Sequence, residues 1–332
     1  MNGWLLPPFP FSGKQRLIVG VSGGADSLGL LSLLKERSLL NSVRLVAAHV
    51  NYGLRGEDSL KDEAKVRRLC KEWEIPLKTL RVSDFKRRMK KLKKSPQDFA
   101  REIRYSFFSQ LARQEKAWGV AVAHHREDQA ETVLDRLLRG AGARGLSGLR
   151  PVQMLELSQG RSLKVWRPLL SNSRGQIRDY LESRGITWRE DKSNQGKKYR
   201  RNQIRHEILP FLSRWNPNLS ETLARLGETC AAEDAFLEEL LRPLGRKVQS
   251  RWRASSYSCN GPRFDKLPLA LRRRWVRHVC EGLNPVARGL TFDRIEEVLR
   301  LWAGREKGPR DLGFGFTAGR KRNQGFLAWK KG

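Results

Sequence analysis

Carboxylates are scarce in this chain: Asp and Glu number 35 against 66 Lys and Arg, a formal net charge of +31 over 332 residues. A surplus of that size repels itself unless it meets a polyanion. Nucleic acid is therefore the favoured partner and an anionic membrane surface the weaker one, although a generally basic proteome would show the same balance. Cysteine is also sparse. The four residues, Cys70, Cys230, Cys259 and Cys280, have no paired spacing, which argues against a disulfide framework and against a zinc or iron–sulfur motif. No apolar run approaches the roughly 20 residues of a membrane-spanning helix. Met1 to Gln15 lacks a basic start and a small-residue cleavage site. The expectation is a soluble, cytoplasmic protein without a membrane partner, with one large α/β domain and a smaller one.

What is present alternates. Arg16 to Val21, Val43 to Asn51, Pro76 to Val82 and Gly119 to His124 read as strands. Ser27 to Leu40 and Pro96 to Glu115 read as helices, the second through Phe99, Ile103, Phe107 and Leu111 at every fourth position. Strand–helix alternation predicts a doubly wound parallel sheet, whose ligands bind at the carboxyl ends of its strands, so the loops after Val21, Val50 and Ala123 should converge. Beyond Val152 the pattern becomes a hairpin around Gln159-Gly160 and a helix from Ser173 to Arg184. A domain boundary is expected near Pro217, giving a larger domain over 1–216. A smaller, mainly helical domain over 217–332 should end in a β pair, Leu312 to Thr317 with Gly325 to Trp329.

The strongest local signal is Ser22-Gly23-Gly24-Ala25-Asp26-Ser27, set between an apolar strand and a helix. Two glycines allow a tight turn and close approach of a ligand, and the free amides at the helix start favour an anion, which suits a phosphate. The loop has neither the Lys of a Walker A sequence nor spaced dinucleotide-binding glycines. A second block, from His49 and Asn51 through Tyr52 to Gly56, leaves the second strand. A third, His124-His125-Arg126-Glu127-Asp128, continues through Glu131, Thr132 and Asp135, which share one helical face. Carboxylates there suit Mg²⁺ or a cationic substrate, whereas two adjacent histidines without a third soft ligand fit zinc poorly. Arg101 and Arg104 neighbour each other on the helix of the Phe99 stripe; solvated arginines and phosphate contacts both explain such a pair.

The first loop resembles the pyrophosphate-binding loop of the PP-loop ATPases, and the blocks together resemble the tRNA(Ile)-lysidine synthetases. The likeness continues through Arg139-Gly140-Ala141-Gly142, Arg167-Pro168-Leu169-Leu170, Asp191, Ser193-Asn194, Tyr199, Arg201-Asn202, Arg205 and Leu209-Pro210. It covers residues 16 to 212, with a looser likeness over Phe292 to Trp329. The departures are Tyr52, where many members have His, and Glu127, where an Asp often precedes the matching Asp.

The resemblance implies a ligase that uses ATP and Mg²⁺ to adenylate the C2 oxygen of the wobble cytidine in a tRNA(Ile) with a CAU anticodon, releasing pyrophosphate. The L-lysine amine then displaces AMP. It further implies that Ser22, Gly23, Gly24, Ala25, Asp26, Ser27 and His49 hold the nucleotide, with Ser27 bonding phosphate and Asp26 also holding Mg²⁺. Asp26, Arg104, His124 and Asp128 would carry the chemistry. Glu131 is the candidate for holding lysine, with Arg101, Arg139, Arg201, Asn202 and Arg205 on lysine or tRNA. A tRNA thiolase is the alternative, but that chemistry needs a catalytic cysteine pair or a cluster, and no cysteine lies in these blocks. The oligomeric state is not given by the sequence; a homodimer is left open.

Basic tracts punctuate the chain: Lys86 to Lys94, Gly196 to Asn202 with Tyr199 among the cations, Arg272-Arg273-Arg274-Trp275, and Gly319 to Arg322. Solvated charge explains each, and contact with an RNA backbone or stacking on a splayed base is the sharper reading.

Overall fold

Apolar residues line both sides of β1 (Arg16–Gly20) and β2 (Arg44–Asn51). Leu17, Val19, Leu45 and Ala47 enter one core, while Ile18, Val46 and Ala48 enter another. Since successive side chains point to opposite faces, such strands need cover on both sides, the condition of a parallel sheet between helical layers. That is the arrangement in the computed structural model, which describes residues 6–157, 160–189, 200–284 and 291–330. The strands β3 (Leu77–Arg81), β4 (Val120–Ala121), β5 (Val152–Leu157) and β6 (Arg161–Trp166) complete a sheet of order β3-β2-β1-β4-β6-β5. All neighbours are parallel except β5, an antiparallel edge strand on β6. The hairpin there agrees with the sequence reading, although Gln159 lies outside the described residues.

Helix α1 (Ala25–Asn41) and the helix Arg174–Ser183 contribute Leu28, Leu31, Ile177 and Leu181 to one core. They approach so closely that a Cβ on Gly29 would lie 2.7 Å from Ile177 Cγ2. After α2 (Glu57–Glu72) and the short basic α3 (Phe85–Lys91), helix α4 (Pro96–Gln114) covers the other face with Tyr105, Phe108 and Leu111. Lys86 to Lys94 therefore forms a helical turn over most of its length. Its N-terminal neighbour Phe85 is buried against Phe99, which gives that turn an anchor.

Glu63 fastens α2 to the ends of two strands. It is 2% exposed and accepts from Asn51 Nδ2 at 2.9 Å, Arg81 Nη2 at 2.9 Å and Arg67 Nη2 at 3.1 Å. The Arg81 bonds, with those of Asn51 and Arg67, outweigh burial and hold its carboxyl down at about 2. A depressed carboxylate pKa adds stability above the unfolded value and loses it as pH falls through the folded one. Glu63→Gln is thus expected to lower stability at neutral pH by about 1 kcal/mol, small because both arginines are largely exposed. In denaturant titrations the gap between wild type and variant should shrink from pH 4.5 towards 2; a gap independent of pH would contradict the ion pairing.

Contacts divide the chain into two compact units, Met1–Ala231 and Ala232–Gly332. The division falls within the helix Leu219–Leu241. The first turns of that helix bury Leu223 with Ala130, Val133 and Ile204, so they belong to the first unit.

The second unit is more β-rich than the expected terminal pair. Strands β7 (Arg251–Arg253), β8 (Ser256–Asn260), β9 (Arg310–Gly313), β10 (Phe316–Lys321) and β11 (Gln324–Trp329) form an antiparallel sheet of order β7-β8-β11-β10-β9. Helices Leu269–Leu283 and Phe292–Ala303 enclose a core with it, in which Trp302 stacks on Tyr257 and Trp275 Nε1 donates to the Tyr257 hydroxyl. Strand β8 escaped the sequence reading because its buried side chains, Tyr257 and Cys259, sit among serines and an asparagine that carry little apolar signal.

This unit also changes the meaning of one basic tract. Arg272 pairs with Asp265, Arg273 with Glu296 at 2.6 Å, and Arg274 with the fully buried Asp234 and with Glu238, while Trp275 is core. These arginines brace the fold, so the expected grip on an RNA backbone does not hold for them. Arg320 is likewise engaged with the carbonyls of Arg322 and Trp302, leaving Lys321 and Arg322 exposed at the β10–β11 turn.

Candidate functional site

The chain runs outward from β1 to β2 and β3, then returns to place β4 on the opposite side of β1. A crevice opens at such a reversal, beyond the carboxyl ends of the strands. The loops after β1, β2 and β4 meet there, as the motif spacing predicts. They line two adjoining hollows that share Ser22, Gly24, Asp26, Val50 and Tyr52. The smaller, of about 220 Å³, adds Ser27, Arg104, Tyr105, Phe108 and His124; the larger, of about 600 Å³, adds His49, Arg174, Arg178 and Arg205.

In the first loop Gly23 has φ +94°, a left-handed conformation that costs an L side chain. The loop is shaped from within by Ser27, whose Oγ accepts from the amides of Ser22 and Gly23 and donates to Gly24 O at 3.0 Å. Ser27 is thus the hub of the loop, whereas the resemblance assigned it to phosphate directly. Gly24 is the N-cap of α1 and provides no side-chain cap, so the leading amides of the helix face the crevice as an anion site. His49 is 3% exposed and donates from Nδ1 to Val21 O at 2.8 Å; burial lowers its pKa, so it is a neutral brace between β2 and the loop.

Past Ala121 the chain turns, with the His124 amide on Val122 O at 3.0 Å, so β4 is shorter than Gly119 to His124 and the two histidines enter the crevice. Their environments are opposite. Burial, with Arg167 nearby, pushes His124 down to about 3, leaving it neutral. His125, itself almost fully buried, would also be pushed down by desolvation, but Glu127 at 2.8 Å, Asp128 at 3.4 Å and Asp26 at 3.7 Å raise it. Glu127, the departure from the family pattern, also accepts from the Arg174 amide at 3.1 Å and so ties His125 to the helix Arg174–Ser183.

Helix α5 (Arg126–Leu137) begins with Asp128 accepting from the His125 amide at 3.1 Å. Burial works against the Asp128 carboxylate, yet His125, Arg201 and Arg205 outweigh it and hold it at about 2. Both arginines bridge to the next turn: Arg201 spans Asp128 at 2.8 Å and Glu131 at 2.9 Å, and Arg205 spans Asp128 at 3.1 Å and both oxygens of Glu131. Glu131 is 2% exposed with both oxygens taken by guanidinium groups. In this arrangement it holds Arg201 and Arg205, so a lysine ammonium at Glu131, expected from the resemblance, would share its oxygens with those guanidinium groups. Arg205 sits in a π-helical turn, Ile204–Ile208, of a kind frequent at functional sites.

The remaining expected residues are less centrally placed. Arg104 lines the smaller hollow, while Arg101 is exposed with its guanidinium 4.6 Å from the Tyr105 ring centre. Arg139 is exposed and pairs with Asp135 at 2.7 Å; Asn202 lies half-buried in the turn Arg200–Gln203. Asp191, Ser193, Asn194, Lys197, Lys198 and Tyr199 lie outside the described residues. Sequence reading gave no role to His125, Arg167 or Arg174. His125 stood in view beside His124 and Arg167 within a block that carries the resemblance, whereas nothing local marked Arg174.

Asp26 bears on magnesium. Its Oδ1 is buried without a hydrogen-bond partner among the described residues, and burial raises its pKa. Among those residues no group of three or more His, Cys, Asp or Glu could hold a metal. One orphaned carboxylate oxygen beside an anion-binding loop fits Mg²⁺, which takes one or two carboxylates and completes its shell with phosphate oxygens and water.

Residues 5–212 match the model of the PP-loop domain. The chain is similar to the tRNA(Ile)-lysidine synthase of Geobacter sulfurreducens, 37% identical over 293 residues covering 88% of this chain and 60% of that protein. It is also similar to the tRNA(Ile)-lysidine synthase of Porphyromonas gingivalis, 40% identical over 286 residues covering 86% and 58%. It therefore spans about three-fifths of the length of these curated relatives. Among solved structures it is similar to the U34-tRNA thiolase NcsA from Methanococcus maripaludis, TM-score 0.56 over 68% of this chain and 75% of that one. At 21% identity, that likeness is one of fold.

Proposed function

This chain belongs to the PP-loop family of ATP-binding proteins, and from that premise we propose that it joins lysine to C2 of the wobble cytidine of a tRNA(Ile) with a CAU anticodon. The observation that carries the reading is the convergence of the phosphate-type loop, Asp26, Arg104 and His124 on one hollow at the switch point. Asp128 lies behind it, in a cluster with Glu131, Arg201 and Arg205. Similarity to lysidine synthases over most of the chain supports the choice of nucleophile and base.

The cytidine C2 oxygen attacks the α-phosphorus of ATP, pyrophosphate leaves, and the lysine amine then attacks C2 and displaces AMP, giving up its proton. The loop and the leading amides of α1 bind phosphate oxygens, and Arg104 meets negative charge as it grows on them. Asp26 would hold Mg²⁺, which supplies charge neutralisation on the phosphates when bound. Lys86 to Lys94 and the exposed Lys321 and Arg322 are proposed contacts to the RNA backbone.

Sulfur transfer fits the thiols poorly. All four cysteines are buried, and burial pushes Cys70 up to about 11 and Cys259 and Cys280 to about 12, far from thiolate nucleophiles.

The test is to incubate the protein with Mg-ATP, labelled lysine and a tRNA(Ile) transcript bearing CAU, and to count label on the RNA. Retention that needs ATP and vanishes when the wobble cytidine is changed is the expected result. Pyrophosphate release without label would move the reading to another nucleophile. Affinity for the transcript should fall at least about tenfold between 50 and 200 mM salt, as phosphate contacts release counterions. Insensitivity to salt would remove the role of the basic tracts.

A further inference from the structure

Arg167 follows β6 and is 1% exposed, yet no carboxylate is among its partners in the described residues. An uncompensated guanidinium is costly to bury, and it remains charged despite desolvation. It is held in place: Nη1 donates to Arg150 O at 2.7 Å and its backbone amide donates to Pro151 O at 2.7 Å, with the Tyr105 side chain close by. The remaining contact is Nε to His124 Nδ1 at 3.2 Å.

That contact has one reading in protons. A guanidinium N–H donates and cannot accept, so His124 Nδ1 must present its lone pair. A neutral imidazole then carries its only proton on Nε2. We propose that Arg167 is a positioning residue that locks His124 as the Nε2-protonated tautomer, so that the ring serves the smaller hollow as a neutral hydrogen-bond donor and not as a proton acceptor. Arg167 does not line the hollow, whereas His124 lines it together with Arg104, Asp26 and Ser22. A donor there complements oxygens on which negative charge develops. That last step rests on the proposed adenylation; the tautomer itself does not. The lysine proton must then go to a group other than His124.

The experiment is nitrogen-15 NMR of histidine-labelled resting protein, which reports which ring nitrogen of each of the five histidines carries a proton. The His124 signals are assigned by their loss in His124→Gln. Expected for wild type is a bare Nδ1 and a protonated Nε2, unchanged between pH 5 and 9. In Arg167→Met the tautomer should become mixed and kcat should fall about 100-fold with KM for ATP within about twofold, and Arg167→Lys should recover part of the loss. A His124 protonated at Nδ1 in wild type, or an Arg167→Met protein with unchanged tautomer and kcat, would overturn the proposal. The wild-type spectrum decides the lock even if a variant fails to fold. It is read without turnover, so it stands apart from whether the chain makes lysidine.

Discussion

Asp26→Asn is expected to reduce ATP-dependent pyrophosphate release by at least about 10³-fold while raising, not lowering, the thermal stability of the metal-free protein. The two effects share a cause. Oδ1 is buried without a partner among the described residues, and burial outweighs the attraction of His125, Arg174 and Arg205, so the folded chain disfavours the charge that a cation would need. A neutral amide of the same shape relieves that cost, by about 1 kcal/mol, and abandons the ligand. Calorimetry in the presence of a chelator, beside a pyrophosphate assay with Mg²⁺, measures both. A variant that is less stable than wild type would show that Asp26 is a structural residue, and one that retains turnover would remove it from the phosphate site.

Glu131→Gln should be the most damaging change in the crevice outside the loop. Removing one partner of a buried charge cluster leaves its cations uncompensated, at a cost of about 3 kcal/mol, towards the lower end because Arg201 is about half-exposed. Arg205 loses a two-oxygen partner and Asp128 must compete for both arginines. Lysine incorporation should therefore fall together with the unfolding midpoint. The double variant Glu131→Gln, Arg205→Gln should recover part of the stability but not the activity, a coupling that a double-mutant cycle measures. Full stability in the single variant would mean that the carboxylate is free to serve lysine after all.

Much of the first unit was legible residue by residue. The apolar strands, the glycine loop and the Phe99 stripe are written in local periodicity, and local periodicity follows from backbone geometry that neighbours in sequence share. Convergence at the switch point was equally legible, because handedness and strand order leave a parallel sheet few ways to wind. The five-stranded sheet of the second unit was not, because serines and an asparagine flank the buried side chains of β8.

By itself, then, the sequence determined the α/β class, the phosphate-type loop at the end of β1, the want of a reactive cysteine pattern and a large excess of positive charge. These depend on residue type and short spacing. Tertiary structure alone decided which charges remain available. It took Arg272, Arg273 and Arg274 for internal pairs, closed Arg201 and Arg205 over Asp128 and Glu131, and set Arg167 against His124. Apart from Arg272 and Asp265, those partners lie far apart along the chain, and the strength of a charge or the proton on a ring nitrogen is set by burial and by the facing group, neither of which has a local signature.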